Sequence, residues 1–327
     1  MDPQHVIDDL RSLAERTATV DGAQRVAWGP VWRDARQWFA GRVAELGLGI
    51  RTDAAGNNWV ELAGDSSETV IIGGHLDSVP NGGWLDGALG VMAGLEALRM
   101  FRSSRPPVTV AVVDWADEEG ARFGRSLLGS SAASGSLDVD DVRELVDKEG
   151  IRLVDALKEN GVELDRVLEA HGELTSIRAR GYLELHIEQG PVLESMNRPT
   201  GVVLGTFGVE RHMIRFVGQA AHSGSTPIPM RRDAFLAAAQ TALECREVAR
   251  RYSTPSAGVV CTVGVVKTEP GIVTAVPGVC EISLDQRALD AEVLARMLTD
   301  ARTASERAAM DNDVTVEWRT LWRIEPR

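Results

Sequence analysis

Cysteine is scarce in this chain: three residues, Cys245, Cys261 and Cys280, in 327. They are odd in number and form no Cys-x-x-Cys pair, which speaks against a disulfide framework and fits reduced, buried thiols in a cytoplasm. Long apolar runs are missing too, none approaching the ~18 residues of a membrane span. The opening MDPQHVIDDLRSLAERT has neither the basic nor the apolar stretch of a secretion signal. Positive charge is in deficit, 35 Lys and Arg against 48 Asp and Glu, net −13. Nucleic acid and anionic membrane would both repel such a chain, so neither is expected as a partner. Histidine is absent after Arg287.

What is present favours two domains. The length exceeds one comfortable core, and 44% hydrophobic content is ample for burial. Asp2-Pro3 reads as N-cap and first-turn proline of a helix, and a second helix runs from about Val31 to Gly47. Strands at 69–74, 108–113 and 181–187, with a helix at 88–101 after the first, give the α/β rhythm of a mostly parallel sheet. Such sheets collect ligands at the carboxyl ends of their strands. Acidic, Leu-spaced segments between Val139 and Ala170 predict two or three short packing helices. After Gly205 the pattern changes to β-α-β-β-α-β: strand 210–218, helix 230–252, strands 257–266 and 278–286, helix 290–310 and strand 313–318. The expected division is 1–208 and 209–319, with 320–327 beginning a return to the first domain.

The chemistry lies at strand exits. Glu118-Glu119 closes one apolar run, His75-x-Asp77 closes another, Asp86 follows in a Gly-flanked loop, and His186 sits at the end of 181–187. His75, Asp86, Glu119 and His186 are therefore four candidate metal ligands. Two zinc-like ions call for neutral imidazoles plus carboxylates, and Asp86 suits a carboxylate shared between them. A carboxylate that does not bind metal must then move the proton of the attacking water, and Glu118 takes that role while Glu119 ligates. Asp77 has the reach to hold the other nitrogen of His75. Singly, a histidine after a strand is an ordinary polar residue and Glu-Glu a solvated surface. The conjunction is what points to a metallohydrolase.

At these residues the chain resembles the amidase, hydantoinase and carbamoylase branch of the dinuclear zinc aminoacylase and carboxypeptidase-like hydrolases. Matching segments are GGHLDSVPNGGWLDGALGV at 73–91, DWADEEGARFGRSLLGSSAASG at 114–135, LHIEQGPVLE at 185–194 and VGQAAHSGSTPIPMRRDA at 217–234. The resemblance implies an aminopeptidase-like catalytic domain with an inserted ferredoxin-like lid and dimerisation domain. It also implies a homodimer and two divalent ions, Zn2+ or Mn2+, Co2+ or Ni2+. On this comparison His75, Asp86 and His186 form the first metal site, and Asp86 and Glu119 belong to the second. His222 would come from the neighbouring subunit to polarise the scissile carbonyl, and Gln189 and Arg287 would contact substrate. The implied reaction is hydrolysis of a linear amide or ureido C–N bond in a small molecule, an N-carbamoyl-L-amino acid or a related ureido acid.

Two departures from the family pattern stand out. Thr274 occupies the place of an Asn that helps to hold the substrate's carboxylate end, so allantoate and beta-ureidopropionate stay open as substrates. The second metal site lacks its C-terminal His, which reads as a C-terminally truncated chain and leaves an assembly-only, catalytically impaired subunit as the rival expectation. A serine hydrolase built on Ser130 or Ser131 is weaker, since neither has a nucleophile-elbow context.

Overall fold

The computed structural model describes residues 2–254 and 258–327. These fall into two units, Met1–Asn197 and Arg198–Arg327.

In the first unit, α1 (Pro3–Thr17) starts at Asp2, whose side chain accepts from the Gln4 N–H at 2.9 Å. The helix α2 (Pro30–Ala44) follows, then β1 (Arg51–Thr52), β2 (Asn58–Leu62), β3 (Ser66–Gly74), α3 (Ala88–Phe101), β4 (Val108–Asp114) and, after short helices, β5 (Arg178–Glu184). The sheet order is β1-β2-β4-β3-β5. Only β3 with β4 and β3 with β5 are parallel, whereas β1 with β2 and β2 with β4 are antiparallel. The sheet is therefore mixed, not mostly parallel. The reason is local: the turn at Asp53–Asn57 folds β2 straight back on β1, too short a link for a crossover.

Period-two alternation builds two cores from one sheet. Val60, Val110 and Val112 pack with Leu10, Phe39, Val43, Val91, Met92, Leu95 and Leu98 of the three helices. Trp59, Ile71, Ala111 and Val113 point the other way. A further core around Trp28, Trp32, Phe123 and Leu128 takes in the short helices Val139–Arg143 and Leu153–Glu159. All seven residues of β5 are exposed.

A buried ion pair ties α2 to the end of β4. Arg36 Nε lies 2.6 Å from Asp114 Oδ2, and the other carboxylate oxygen accepts the Leu76 N–H at 2.8 Å. Asp114 is fully buried. Asp114→Ala would leave the guanidinium without its counter-charge, at a cost of about 3–5 kcal/mol. Urea denaturation at fixed pH measures this, and a loss below about 1 kcal/mol would contradict it.

The second unit runs β6 (Gly208–Val217), α4 (Ala234–Tyr252), β7 (Val260–Thr262), β8 (Val266–Glu269), β9 (Val279–Ala288), α5 (Ala291–Asp311) and β10 (Thr315–Ile324). The strand order is β7-β9-β6-β10, with β8 also on β9 and every pairing antiparallel. Ile214, Phe216, Cys280, Ile282 and Leu284 pack on Ala237, Ala238, Cys245, Ala301 and Ala308 of the two helices.

Three expected boundaries shift. The first helix begins at Ala234 because Asp233 caps it, accepting from the Phe235 and Leu236 N–H groups. The strand expected at 257–266 is two strands, and its first residue lies outside the described residues. The last strand runs on past Trp318 to Ile324, with a bulge between Thr320 and Trp322. Among the described residues no helix is long and apolar enough to cross a membrane.

Candidate metal centre

The parallel pair β3 and β4 ends in the two loops that carry the chemistry. His75 leaves β3 fully buried, and its Nδ1 lies 3.1 Å from the Asp77 carbonyl and 3.4 Å from Asp77 Oδ1. Those acceptors hold a proton on Nδ1 and leave Nε2 as the nitrogen that would exchange its proton for a cation. That Nε2 is 3.5 Å from Glu118 Oε2. His186, two residues beyond β5, repeats the device: Nδ1 lies 2.6 Å from the Ile187 carbonyl and Nε2 faces Asp86 Oδ1 at 3.3 Å.

One ligand atom each from His75, Asp86 and His186 lies within 4.8 Å of the other two. Glu119 is not in that set. Its link to it is Asp77, whose carboxylate accepts the Glu118 N–H at 3.2 Å and the Glu119 N–H at 3.0 Å. Asp77 thus holds His75 and the glutamate pair in one frame.

The donor set fits a divalent, zinc-like ion. Among the described residues Asp86 Oδ1 is buried with no hydrogen bond, its charged neighbour being His186 Nε2 at 3.3 Å, a costly state for a carboxylate oxygen unless a cation completes it. Two imidazole nitrogens and a carboxylate beside it are the ligand types zinc prefers.

Burial dominates the electrostatics. It pushes the Glu118 carboxyl up to about 7, against the opposing charge of His75 and with help from Asp77, Glu119 and Glu184. Glu119 moves upward for the same first reason. At His75 burial pulls downward, but the Asp77 hydrogen bond and charge, with Glu118 and Glu119, overcome it and raise the imidazole to about 10. Asp117, fully buried and donated to by Trp28 Nε1 at 2.7 Å, is lifted to about 8 by burial and then by Asp77. A half-buried carboxyl near neutrality is what proton transfer at pH 7 requires.

Backbone straps fix the glutamate loop. The N–H groups of Leu127, Leu128 and Gly129 donate to the carbonyls of Glu118, Asp117 and Ala116. Asn57 completes the hold: its Oδ1 accepts the Ala116 N–H at 2.9 Å, and its Nδ2 donates to Asp53 Oδ2 and the Gly129 carbonyl. Neither Asn57 nor Glu184 was singled out from the sequence. The spacing Tyr182-x-Glu184-x-His186 was the available signal, since alternate strand residues share a face.

Gly87 is a cradle for the His75 ring. Its φ is +64°, and an added Cβ would sit 2.4 Å from three ring atoms. Gly87→Ala is therefore expected to displace the imidazole and weaken metal binding by about 10–100-fold. Equilibrium dialysis against zinc checks this; unchanged affinity would show that the ring is not held there.

The remaining expected site residues are placed as follows. Gln189, at φ +53°, donates from Nε2 to Asp86 Oδ2. His222, Thr274 and Arg287 belong to the second unit. His222 pairs with Ala275 in a short antiparallel bridge, the neighbouring Ser223 N–H donates to the Thr274 carbonyl, and Nδ1 accepts from the Gly224 and Ser225 N–H groups. Thr274 is exposed. Arg287 is held by Asp285, at 2.8 and 3.3 Å, which Arg211 also contacts.

Residues 57–158 match the model of Peptidase family M28. An N-carbamoyl-L-amino acid amidohydrolase of Geobacillus stearothermophilus is 37% identical over 310 residues, covering 93% of this chain and 74% of that protein. This chain belongs to the hydantoinase/carbamoylase family of amidases. An allantoate amidohydrolase of Escherichia coli (strain K12) is likewise 37% identical, over 93% of this chain and 73% of its own length. The fold agrees: a crystal structure of a family member from Burkholderia ambifaria superposes with a TM-score of 0.80 at 32% identity, over 100% of this chain and 79% of that one. As a member of this family the chain is a hydrolase of C–N bonds other than peptide bonds, of the amide and ureido class.

Proposed function

We propose that this chain hydrolyses the ureido C–N bond of an N-carbamoyl-L-amino acid. His75, Asp86 and His186 would hold one divalent ion, and Asp86 and Glu119 a second. The observation that carries this reading is the meeting of two imidazoles, both with Nδ1 engaged, around an orphaned carboxylate oxygen of Asp86. When bound, the ions supply Lewis acidity toward water and a carbonyl.

The side chains divide the remaining work. Glu118 takes the proton of the attacking water and returns it to the leaving nitrogen, a task suited to a carboxyl raised to about 7. Glu119 stays ionised as a ligand. His222 of the partner subunit donates to the developing oxyanion in a homodimer, with the second unit, Arg198–Arg327, serving as lid and dimerisation domain. Arg287 pairs with the substrate carboxylate after exchanging its Asp285 partner, while Gln189 and Thr274 complete the pocket.

Ammonia release from a panel of N-carbamoyl-L-amino acids, allantoate and beta-ureidopropionate tests the reading. The expected result is turnover of the carbamoyl amino acids, abolished by chelation and restored by Zn2+, Mn2+ or Co2+. Turnover that survives exhaustive chelation would overturn it.

A further inference from the structure

Arg25 is the most deeply placed cation of the first unit, with none of its surface exposed. Its Nε donates to the Leu76 carbonyl at 2.7 Å. Its backbone N–H donates to Ser78 Oγ at 3.0 Å, and its carbonyl accepts the Ser78 N–H at 2.9 Å. These bonds seize the residues on either side of Asp77. Nη1 reaches only Thr17 Oγ1, at 3.5 Å, and Nη2 is buried with no hydrogen-bond partner among the described residues.

A buried guanidinium with an idle nitrogen is costly, and no carboxylate forms an ion pair with it among the described residues. Burial pulls the Arg25 guanidinium below its ordinary value, and the charges of Asp77, Asp86 and Asp114 oppose that pull. The guanidinium thus stands behind the site without taking up any ligand atom. A salt-bridged arginine would instead occupy an oxygen that the cation needs.

We propose that Arg25 is a positioning residue of the metal centre: its clip on Leu76 and Ser78 sets the Asp77 carboxylate between His75 and the glutamate pair. This rests on the metal-site reading above. Arg25 touches neither substrate nor ion, so its loss is expected in metal affinity and kcat, with KM unchanged.

The test uses the full chain, stripped and titrated with Co2+ alone, following the visible absorption of the bound ion, with steady-state kinetics on an N-carbamoyl-L-amino acid. Arg25→Met is expected to weaken cobalt binding and to lower kcat, each by about 10–100-fold, while KM stays within about threefold. Arg25→Lys, which restores a donor toward the Leu76 carbonyl but not the forked geometry, is expected to recover part of the lost affinity. Ser78→Ala, a milder cut at the same clip, keeps the question open to refutation if Arg25→Met does not fold, and is expected to lower affinity severalfold. Folded variants with wild-type cobalt affinity and reduced thermal stability alone would overturn the proposal and leave the site reading intact. A wild-type chain that takes up no cobalt would overturn both.

Discussion

Glu118→Gln is expected to leave metal content and fold unchanged and to lower kcat by roughly 10²–10⁴-fold, the usual contribution of a positioned proton carrier. Gln keeps the volume and one hydrogen-bonding oxygen but has no basic carboxylate. The backbone straps on residues 116–119 do not involve the Glu118 side chain, so the loop has no reason to move. Steady-state kinetics together with elemental analysis of the bound metal make the measurement. A kcat within about threefold of wild type would remove Glu118 from the reaction. A parallel loss of metal would instead mark it as a ligand, exchanging its role with Glu119.

Asp86→Ala carries the second large effect. Asp86 is the one side chain that contacts His186, belongs to the three-residue cluster and holds Gln189. Removing it takes a ligand from both proposed ion sites at once, so metal affinity should fall by more than the roughly 10–100-fold that outer partners alone are worth. Activity at sub-millimolar metal should be lost with it. His171→Ala is the control, because His171 lies outside the cluster and its Nδ1 faces the Ala133 carbonyl; its metal content should not change. Equal metal content in Asp86→Ala and wild type would contradict the bridging role.

Much of this was legible because the ligands obey a rule of position. His75, Asp86 and Glu118-Glu119 follow apolar strands, and strand exits on a parallel pair meet at one edge. Helix 88–101 was read at its true ends, since Gly87 and a continuous apolar face mark them. The antiparallel strands β1 and β2 went unread because two and five residues carry little periodicity. The Asp233 cap is masked by the helix-forming Met230, Arg231 and Arg232 before it, of which Met230 closes a short 3-10 turn at Ile228–Met230, Arg231 is extended and Arg232 bridges Gln219.

Arg25 was invisible for a different reason. Its partners are the Leu76 carbonyl and the Ser78 hydroxyl and N–H, more than fifty residues away, and the Thr17 hydroxyl eight residues back, and no spacing pattern encodes them. Asn57 is similar: the turn from Asp53 to Asn57 is a recognisable Asx geometry, but its role in holding Ala116 and Gly129 exists only in three dimensions. The position of Glu119 marks the limit of reading ligands from residue type. Its sequence neighbour Glu118 is the one that faces His75, and Glu119 joins the cluster only through Asp77.

X-ray absorption at the zinc edge of the zinc-loaded chain tests most directly whether His75, Asp86 and His186 share one ion. The expected spectrum carries imidazole scattering in a nitrogen and oxygen shell, and that scattering falls in both His75→Ala and His186→Ala while persisting in His171→Ala. A shell without imidazole, or one unchanged by removing either histidine, would contradict the assignment.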